Sequence, residues 1–193
     1  MSSKSTQRRP RRWDSSVPPA DRWCARLTTP TSRPMEKKSA RLSIAPLRRY
    51  PQAVALLAGW HQSQERQPGG VAVRRAYEQK LRDHLHPGAV PQTFVACAGG
   101  EVIGSVSLVL YRRRTAPAAT PWLANLFVRE DWRQRGVGAT MVRFVQEYAR
   151  RQEVDRLYLV TTDRAPFYRR RGWEVVRRAC WRGRAVDIMS VNL

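Results

Sequence analysis

Arg133-Gln134-Arg135-Gly136-Val137-Gly138 sets two arginines and two glycines close together, directly downstream of the hydrophobic run Leu126-Phe127-Val128. Glycine lets a backbone turn sharply and approach a ligand closely. The first turn of a helix offers N–H groups without helical partners, at the positive end of the helix dipole. Arginines beside such a turn add fork-shaped, charge-assisted donors. Together these properties suit the cradling of a diphosphate. The expected contacts are the backbone N–H groups of Arg135 to Ala139, with the Arg133 and Arg135 side chains nearby. Thr140 either adds a hydroxyl or lies on ordinary helix surface. Two other phosphate loops are absent: there is no Gly-x4-Gly-Lys-Ser/Thr, and no Gly-x-Gly-x-x-Gly followed by a ribose-binding acid.

The elements needed to hold this turn are legible around it. Val137, Met141, Phe144, Val145 and Tyr148 recur at helical spacing, with Arg143, Gln146, Glu147 and Arg150 on the other face. Leu157 to Thr161 reads as a second strand, reached by a connection long enough for a crossover, so the unit is strand, turn, helix, parallel strand. Ligands of such sheets sit beyond the carboxyl ends of the strands. Upstream, Leu42 and Ile44 mark a first strand within Arg41 to Leu47, and Pro51 opens a helix carrying Val54, Leu57 and Trp60. Pro68-Gly69-Gly70 breaks the chain before a second helix over about 71–85, with Val73, Tyr77, Leu81 and Leu85 on one face. Thr93 to Ala98 and Val102 to Tyr111 form a hairpin around Gly99-Gly100. A loop over Arg112 to Pro121 leads to the strand Trp122 to Val128, and Glu174 to Trp181 pairs with Ala185 to Val191 around Gly183.

Just past the second parallel strand stands Phe167-Tyr168-Arg169-Arg170-Arg171-Gly172-Trp173. The ordered set of strand, Arg-x-x-Gly-x-Gly turn, crossover helix, strand and Phe-Tyr-x-x-x-Gly-Trp resembles the GNAT superfamily, which transfers acetyl from acetyl-CoA to an amine. The resemblance covers roughly Arg41 to Leu193. It implies an α/β (α+β) fold: a mixed, mostly antiparallel twisted sheet flanked by helices, with a parallel strand pair around the acetyl-CoA cleft. It also implies N-acetyl transfer to a primary amine by direct attack in a ternary complex, with acetyl-CoA as cosubstrate and no metal. In this family the strand before the turn splays from its parallel neighbour and leaves backbone groups for the pantetheine arm. Leu126 and Val128 match those positions, with Phe127 between them, and an N–H near Leu126 is placed to polarise the acetyl carbonyl. The implied cofactor-binding set therefore runs Leu126, Phe127, Val128, Arg133, Gln134, Arg135, Gly136, Val137, Gly138, Ala139 and Thr140.

Tyr168 matches the family tyrosine that protonates the CoA thiolate; the competing reading is a tyrosine packed in the sheet with its hydroxyl in water. Phe167 packs the CoA arm or the core, and Arg169 to Arg171 either reach the 3′-phosphate or form a solvated face. The general base departs from a frequent family arrangement, because Asn125 stands where many members carry glutamate. An amide cannot accept the proton. Glu130 and Asp131 are expected to be exposed, while Asp163 is nearer the chemistry or caps the following helix. A water relay, or an α-amine with a pKa near ~8, removes the need for a strong base. The paired helices upstream and their linker help to wall the acceptor site in this family.

The 193 residues suffice for one catalytic domain, and 42% hydrophobic content is ordinary for a soluble chain. No stretch approaches the roughly 18 apolar residues of a membrane span, and the N-terminus lacks a secretory signal, so a cytoplasmic protein without membrane contact is expected. Cys24, Cys97 and Cys180 have no paired spacing. Cys97 and Cys180 read as small buried hydrophobes. His61, His84 and His86 carry no metal-ligand spacing and are expected at helix caps or on the surface.

The net charge of +21 divides between two regions. Residues 1–41 hold eleven Lys or Arg against three acids, and the rest hold 25 against 12, a balance of +13. Only four of the 36 basic residues are lysine, so a genome-wide preference for arginine codons competes with a functional explanation. Residues 1–40 are rich in Arg, Pro and Ser without apolar periodicity and are expected to be a disordered tail; residues 1–34 stand upstream of an alternative start at Met35. The run Arg8 to Trp13, with Trp23, suits nucleic acid, which leaves a second reading as a basic RNA- or ribosome-binding module on a GNAT-like scaffold. For an enzyme, the basic domain attracts CoA and favours an acceptor amine set among acidic groups, in a small molecule or a peptide.

Overall fold

The computed structural model describes residues 41–64, 70–111, 119–181 and 183–193. The expected tail, Cys24, the alternative start at Met35, most of the linker at Pro68 and most of the loop after Tyr111 lie outside the described residues.

Alternating apolar residues generate a seven-stranded sheet: β1 (Ser43–Pro46), β2 (Gln92–Ala98), β3 (Glu101–Tyr111), β4 (Thr120–Val128), β5 (Arg156–Thr161), β6 (Glu174–Trp181) and β7 (Arg184–Asn192). The spatial order is β1-β2-β3-β4-β5-β7-β6. Every neighbouring pair is antiparallel except β4 and β5, which are parallel as a crossover through a helix requires. The fold is therefore the mixed, mostly antiparallel sheet that the sequence led us to expect. The Gly99-Gly100 turn joins β2 to β3 with both glycines at positive φ.

Helices cover both faces. On one, α1 (Val54–Ser63) and α2 (Val71–Asp83) enclose a cluster of Leu47, Val54, Leu57, Leu81, Val95 and Cys97. On the other, α3 (Val137–Arg151) buries Val137, Met141, Val142, Val145 and Ala149 against Phe94, Ile103, Val106, Leu108, Leu123, Leu157 and Leu159. Each fully buried aliphatic side chain there contributes about 1.5–3 kcal/mol. The five-residue α4 (Ala165–Arg169) adds Ala165 and Tyr168 to this second cluster.

Two sequence expectations are corrected. Cys180 is exposed, because β6 is the outermost strand of the sheet and most of its residues face solvent. Val73 keeps 37% of its surface, since only the C-terminal part of α2, through Leu81, reaches the core.

Candidate active site

The site begins with an irregularity in β4. β3 and β4 pair from Tyr111↔Thr120 to Ser107↔Ala124, then again at Ser105↔Phe127 and Gly104↔Val128. Between these stretches β4 carries one residue more than β3, a bulge in which Asn125 takes φ +53°. Asparagine tolerates this left-handed conformation better than most residues. The bulge also presses β4 onto its neighbour: a Cβ on Gly104 would lie 2.8 Å from the Phe127 carbonyl oxygen, so that position requires glycine. On the opposite edge, the β4–β5 ladder holds a single register pair, Trp122↔Tyr158. Past it, toward their carboxyl ends, the two parallel strands part.

Arg129 anchors the end of β4. Its backbone N–H donates to the Ile103 carbonyl at 2.8 Å, and its guanidinium reaches Glu101 at 2.8 Å and Asp131 at 2.7 Å. Hydrogen bonds to these two carboxylates raise the Arg129 pKa above its ordinary value. A 3₁₀ turn, Glu130–Trp132, buries Trp132, and the chain then takes two left-handed residues, Gln134 at φ +60° and Gly136 at φ +80°. α3 starts immediately after Gly136, without a side-chain cap and with no acidic residue in its first turn. The Thr140 N–H is the first to find a helical carbonyl, that of Gly136 at 3.0 Å. Helix geometry therefore leaves the N–H groups of Val137, Gly138 and Ala139 without intrahelical acceptors, at the positive end of the dipole.

The surrounding side chains are arranged about this turn. Arg133 Nε donates to the Val128 carbonyl at 3.0 Å, and its guanidinium lies 6.0 Å from the Phe127 ring. Arg135 stands 5.2 Å over the Trp132 ring. Thr140 Oγ1 donates back to the Gly136 carbonyl at 3.2 Å. A Cβ on Gly138 would touch Val128 at 3.6 Å and Phe167 at 3.7 Å, so strand end, helix start and α4 converge there.

Phe167 bears the Arg171 guanidinium on its face at 3.7 Å, and Arg171 also donates to the Phe167 carbonyl. Arg169 and Arg170 are exposed. Tyr168 contacts Phe167 edge-on at 5.0 Å and Trp173 at 6.0 Å, with only 7% of its surface exposed. Burial pushes its phenol up to about 12, against the opposing influence of Arg171 and Arg164.

The structure separates the carboxylates from this convergence. Glu130 and Asp131 are exposed, with Asp131 held by Arg129. Asp163 is exposed and pairs with Arg164 at 3.3 Å. It does not cap α4, whose N-cap is Arg164 and which has no side-chain cap; the Arg164 N–H donates to Thr161 Oγ1 at 3.0 Å. Among the described residues no group of three or more His, Cys, Asp or Glu could hold a metal ion, and no helix is long and apolar enough to cross a membrane.

The last turn of α1 closes over β4 from the other face. Trp60 stacks on Phe127 with centroids 4.7 Å apart, and Gln64 Nε2 donates to the Leu126 carbonyl at 3.3 Å. His61 is not on the surface: it is 3% exposed, 3.4 Å from Ser105 Oγ, and edge-on to Tyr77. Burial lowers its pKa to about 4, with His84 adding a smaller effect. His84 does stand at the C-cap of α2, yet it too is buried, with Nδ1 2.7 Å from Thr93 Oγ1, which in turn lies 2.8 Å from Ser107 Oγ. The sequence signal for these partners is alternation, since Ser105 and Ser107 share one face of β3.

A family model described as the acetyltransferase (GNAT) family matches residues 56–173. No curated protein matches the chain in sequence. Among solved structures, a GNAT-family acetyltransferase from Streptococcus pneumoniae superimposes with a TM-score of 0.61 at 16% identity, covering 79% of this chain and 99% of that one. Naa50 from Arabidopsis thaliana, in complex with the bisubstrate analogue CoA-Ac-MVNAL, gives 0.59 at 16% identity over 79% and 99%. Ard1 from Thermoplasma volcanium gives 0.61 at 17% identity over 79% and 97%. At such identities these likenesses speak for the fold, whereas the family match extends over most of the chain. The chain belongs to the GNAT acetyltransferase family.

Proposed function

We propose that residues 41–193 form an acetyl-CoA-dependent N-acetyltransferase that transfers acetyl to a primary amine within a ternary complex. One observation carries this reading: the left-handed pair Gln134 and Gly136 delivers the uncapped start of α3 to the place where β4 and β5 part. In it, the diphosphate of CoA takes the N–H groups of Val137, Gly138 and Ala139, with Arg133 and Arg135 beside them. The pantetheine arm runs along Leu126, Phe127 and Val128. The carbonyls of Leu126 and Val128 accept hydrogen bonds from Gln64 and Arg133, and the arm's amide N–H groups are donors of the same kind that replace them.

In the transfer, the amine nitrogen bonds to the acetyl carbon, the carbon–sulfur bond breaks, the amine loses one proton and sulfur gains one. Tyr168, with its phenol near 12, keeps its proton at neutral pH and donates a hydrogen bond to the departing sulfur. A free thiol has a pKa of about 8.5, so outright transfer from this phenol is uphill; the proton shed by the amine makes up the balance. Asn125 supplies no base. An α-amine, partly neutral at pH 7 with a pKa near ~8, needs none as strong as a carboxylate pair. The balance of +13 over residues 42–193 favours an amine set among acidic groups. Cys180, exposed and outside any disulfide, suits a reducing compartment such as the cytoplasm. The rival reading as an RNA- or ribosome-binding module rests on residues 1–34, outside the described residues, and no described residue favours it.

Calorimetric titration of acetyl-CoA into the full chain and into Gly136→Asp tests this. Saturable binding by the wild type, weakened at least ~100-fold in the variant, is the expected result. No binding by a folded wild-type chain overturns the proposal.

A further inference from the structure

The faces of β4 differ on its two sides, and the difference bears on what the acceptor carries. On the α3 side, Leu123 is buried and Leu126 and Val128 pack onto the core. On the α1/α2 side stand Trp122, Ala124 and Phe127, by register with Val109, Ser107 and Ser105 of β3. Under α1 and α2 this face is sealed, since Ser105 and Ser107 have no exposed surface. Over β4 and β5 it is not: Trp60, Trp122, Ala124, Phe127 and Tyr158 are half-buried, and Tyr111 is 53% exposed.

Five aromatic rings bracket the small residue Ala124. At one end, toward the turn, Trp60 stacks on Phe127 at 4.7 Å. At the other, Trp122 meets Tyr111 edge-on at 6.0 Å and Tyr158 at 5.4 Å. Trp122 Nε1 is engaged by Thr120 Oγ1 at 2.8 Å, so this tryptophan offers its ring rather than its N–H. Trp122 and Tyr158 are also the one register pair of β4 and β5, which marks the closed end of the parting.

We propose that these rings form a trough that binds the acceptor through an aromatic side chain, so that the acceptor is an α-amine whose own side chain is aromatic. The proposal rests on the acetyltransferase reading for its direction. An arm entering from the α3 N-terminus reaches the closed end of the parting with the core filling the α3 side. The amine therefore meets the acetyl carbon from the aromatic side. Rings set edge-on and stacked around an alanine floor accept another flat ring. The basic domain disfavours a polycation in the same place, which sets aside a purely cation–π occupant. The shared chemistry fits a free aromatic amino acid or a peptide that begins with one.

The test is direct binding to the full chain, with and without saturating CoA, of phenylalaninamide, the peptide Phe-Ala-Ala, alaninamide and Ala-Ala-Ala. Each aromatic probe is expected to bind about tenfold or more tightly than its alanine counterpart. Phenylalaninamide against Phe-Ala-Ala separates the free amino acid from the peptide end. Ala124→Leu fills the trough and is expected to remove that preference while leaving the acetyl-CoA affinity unchanged. Tyr111→Ala, at a position 53% exposed, is expected to weaken the aromatic probes severalfold. Equal affinity for phenylalanine and alanine probes, or an undiminished preference in both variants, overturns the trough. An aromatic preference in a folded wild-type chain that binds no acetyl-CoA keeps the trough and overturns the transferase reading instead.

Discussion

The two halves of the sheet are built on different terms. From β1 to β3 the strands pair continuously apart from one irregularity at Ala96/Cys97, and the polar groups between sheet and α1/α2 are matched side chain to side chain, as in His84–Thr93–Ser107. From β4 to β5 the ladder shrinks to one pair, and the left-handed non-glycine residues Asn125 and Gln134 stand there beside Gly136. Backbone strain of this kind persists only where the surroundings impose it, and it concentrates at functional sites. The closed half is a scaffold whose regularity allows the other half to stay open. Disturbing the open half should change binding and chemistry first, whereas disturbing the closed half should change stability first.

The largest effect that sharpens this contrast is expected at the open half. Tyr168→Phe should lower kcat about 100-fold with the acetyl-CoA Kd unchanged, measured by thiol release and calorimetry. An unchanged kcat would leave Tyr168 as packing alone.

The next effect belongs to the closed half. His61, neutral and buried, has its pKa lowered from 6.5 to about 4, with His84 and the Tyr77 ring facing it. Between those two values the unfolded chain binds a proton that the folded chain refuses. Stability is therefore full above pH 6.5 and falls as pH drops toward 4, by up to about 3 kcal/mol. Urea denaturation across this range should show the slope in the wild type and a shallower one in His61→Gln.

Gly104→Ala tests the junction between the halves. The new Cβ would stand 2.8 Å from the Phe127 carbonyl oxygen, so β4 must shift, at a cost of about 1–3 kcal/mol in denaturant unfolding. The smallest expected effect is Arg129→Ala. Its carboxylate partners are in contact with solvent, Glu101 at 66% and Asp131 at 37% exposure, so the stability loss should stay under about 1 kcal/mol while acetyl-CoA binding weakens through a looser turn.

Much of this was legible in the sequence. The strand ends, the two-glycine hairpin and the crossover helix follow from local alternation and helical spacing, and they fall within a residue or two of the observed bounds. The Arg133–Gly138 turn was legible for the same reason, because its glycines act where they stand. What escaped depends on residues distant in the chain. Asn125 read as the loss of a carboxylate, whereas the structure shows a left-handed residue in a bulge fixed by β3. His61 reads as a helix-cap or surface residue because its partner Ser105 is 44 positions away. Cys180 read as buried because nothing local reveals that β6 is the sheet's edge.

The proposed acetyl-CoA site is the parting of β4 and β5 together with the first turn of α3. Amide hydrogen exchange of the full chain with and without acetyl-CoA tests it most directly. The account predicts new protection at residues 126–128 and 135–139, with the β2 and β3 amides already slow and unchanged. Protection confined to β6 and β7, or none at saturating acetyl-CoA, would contradict it.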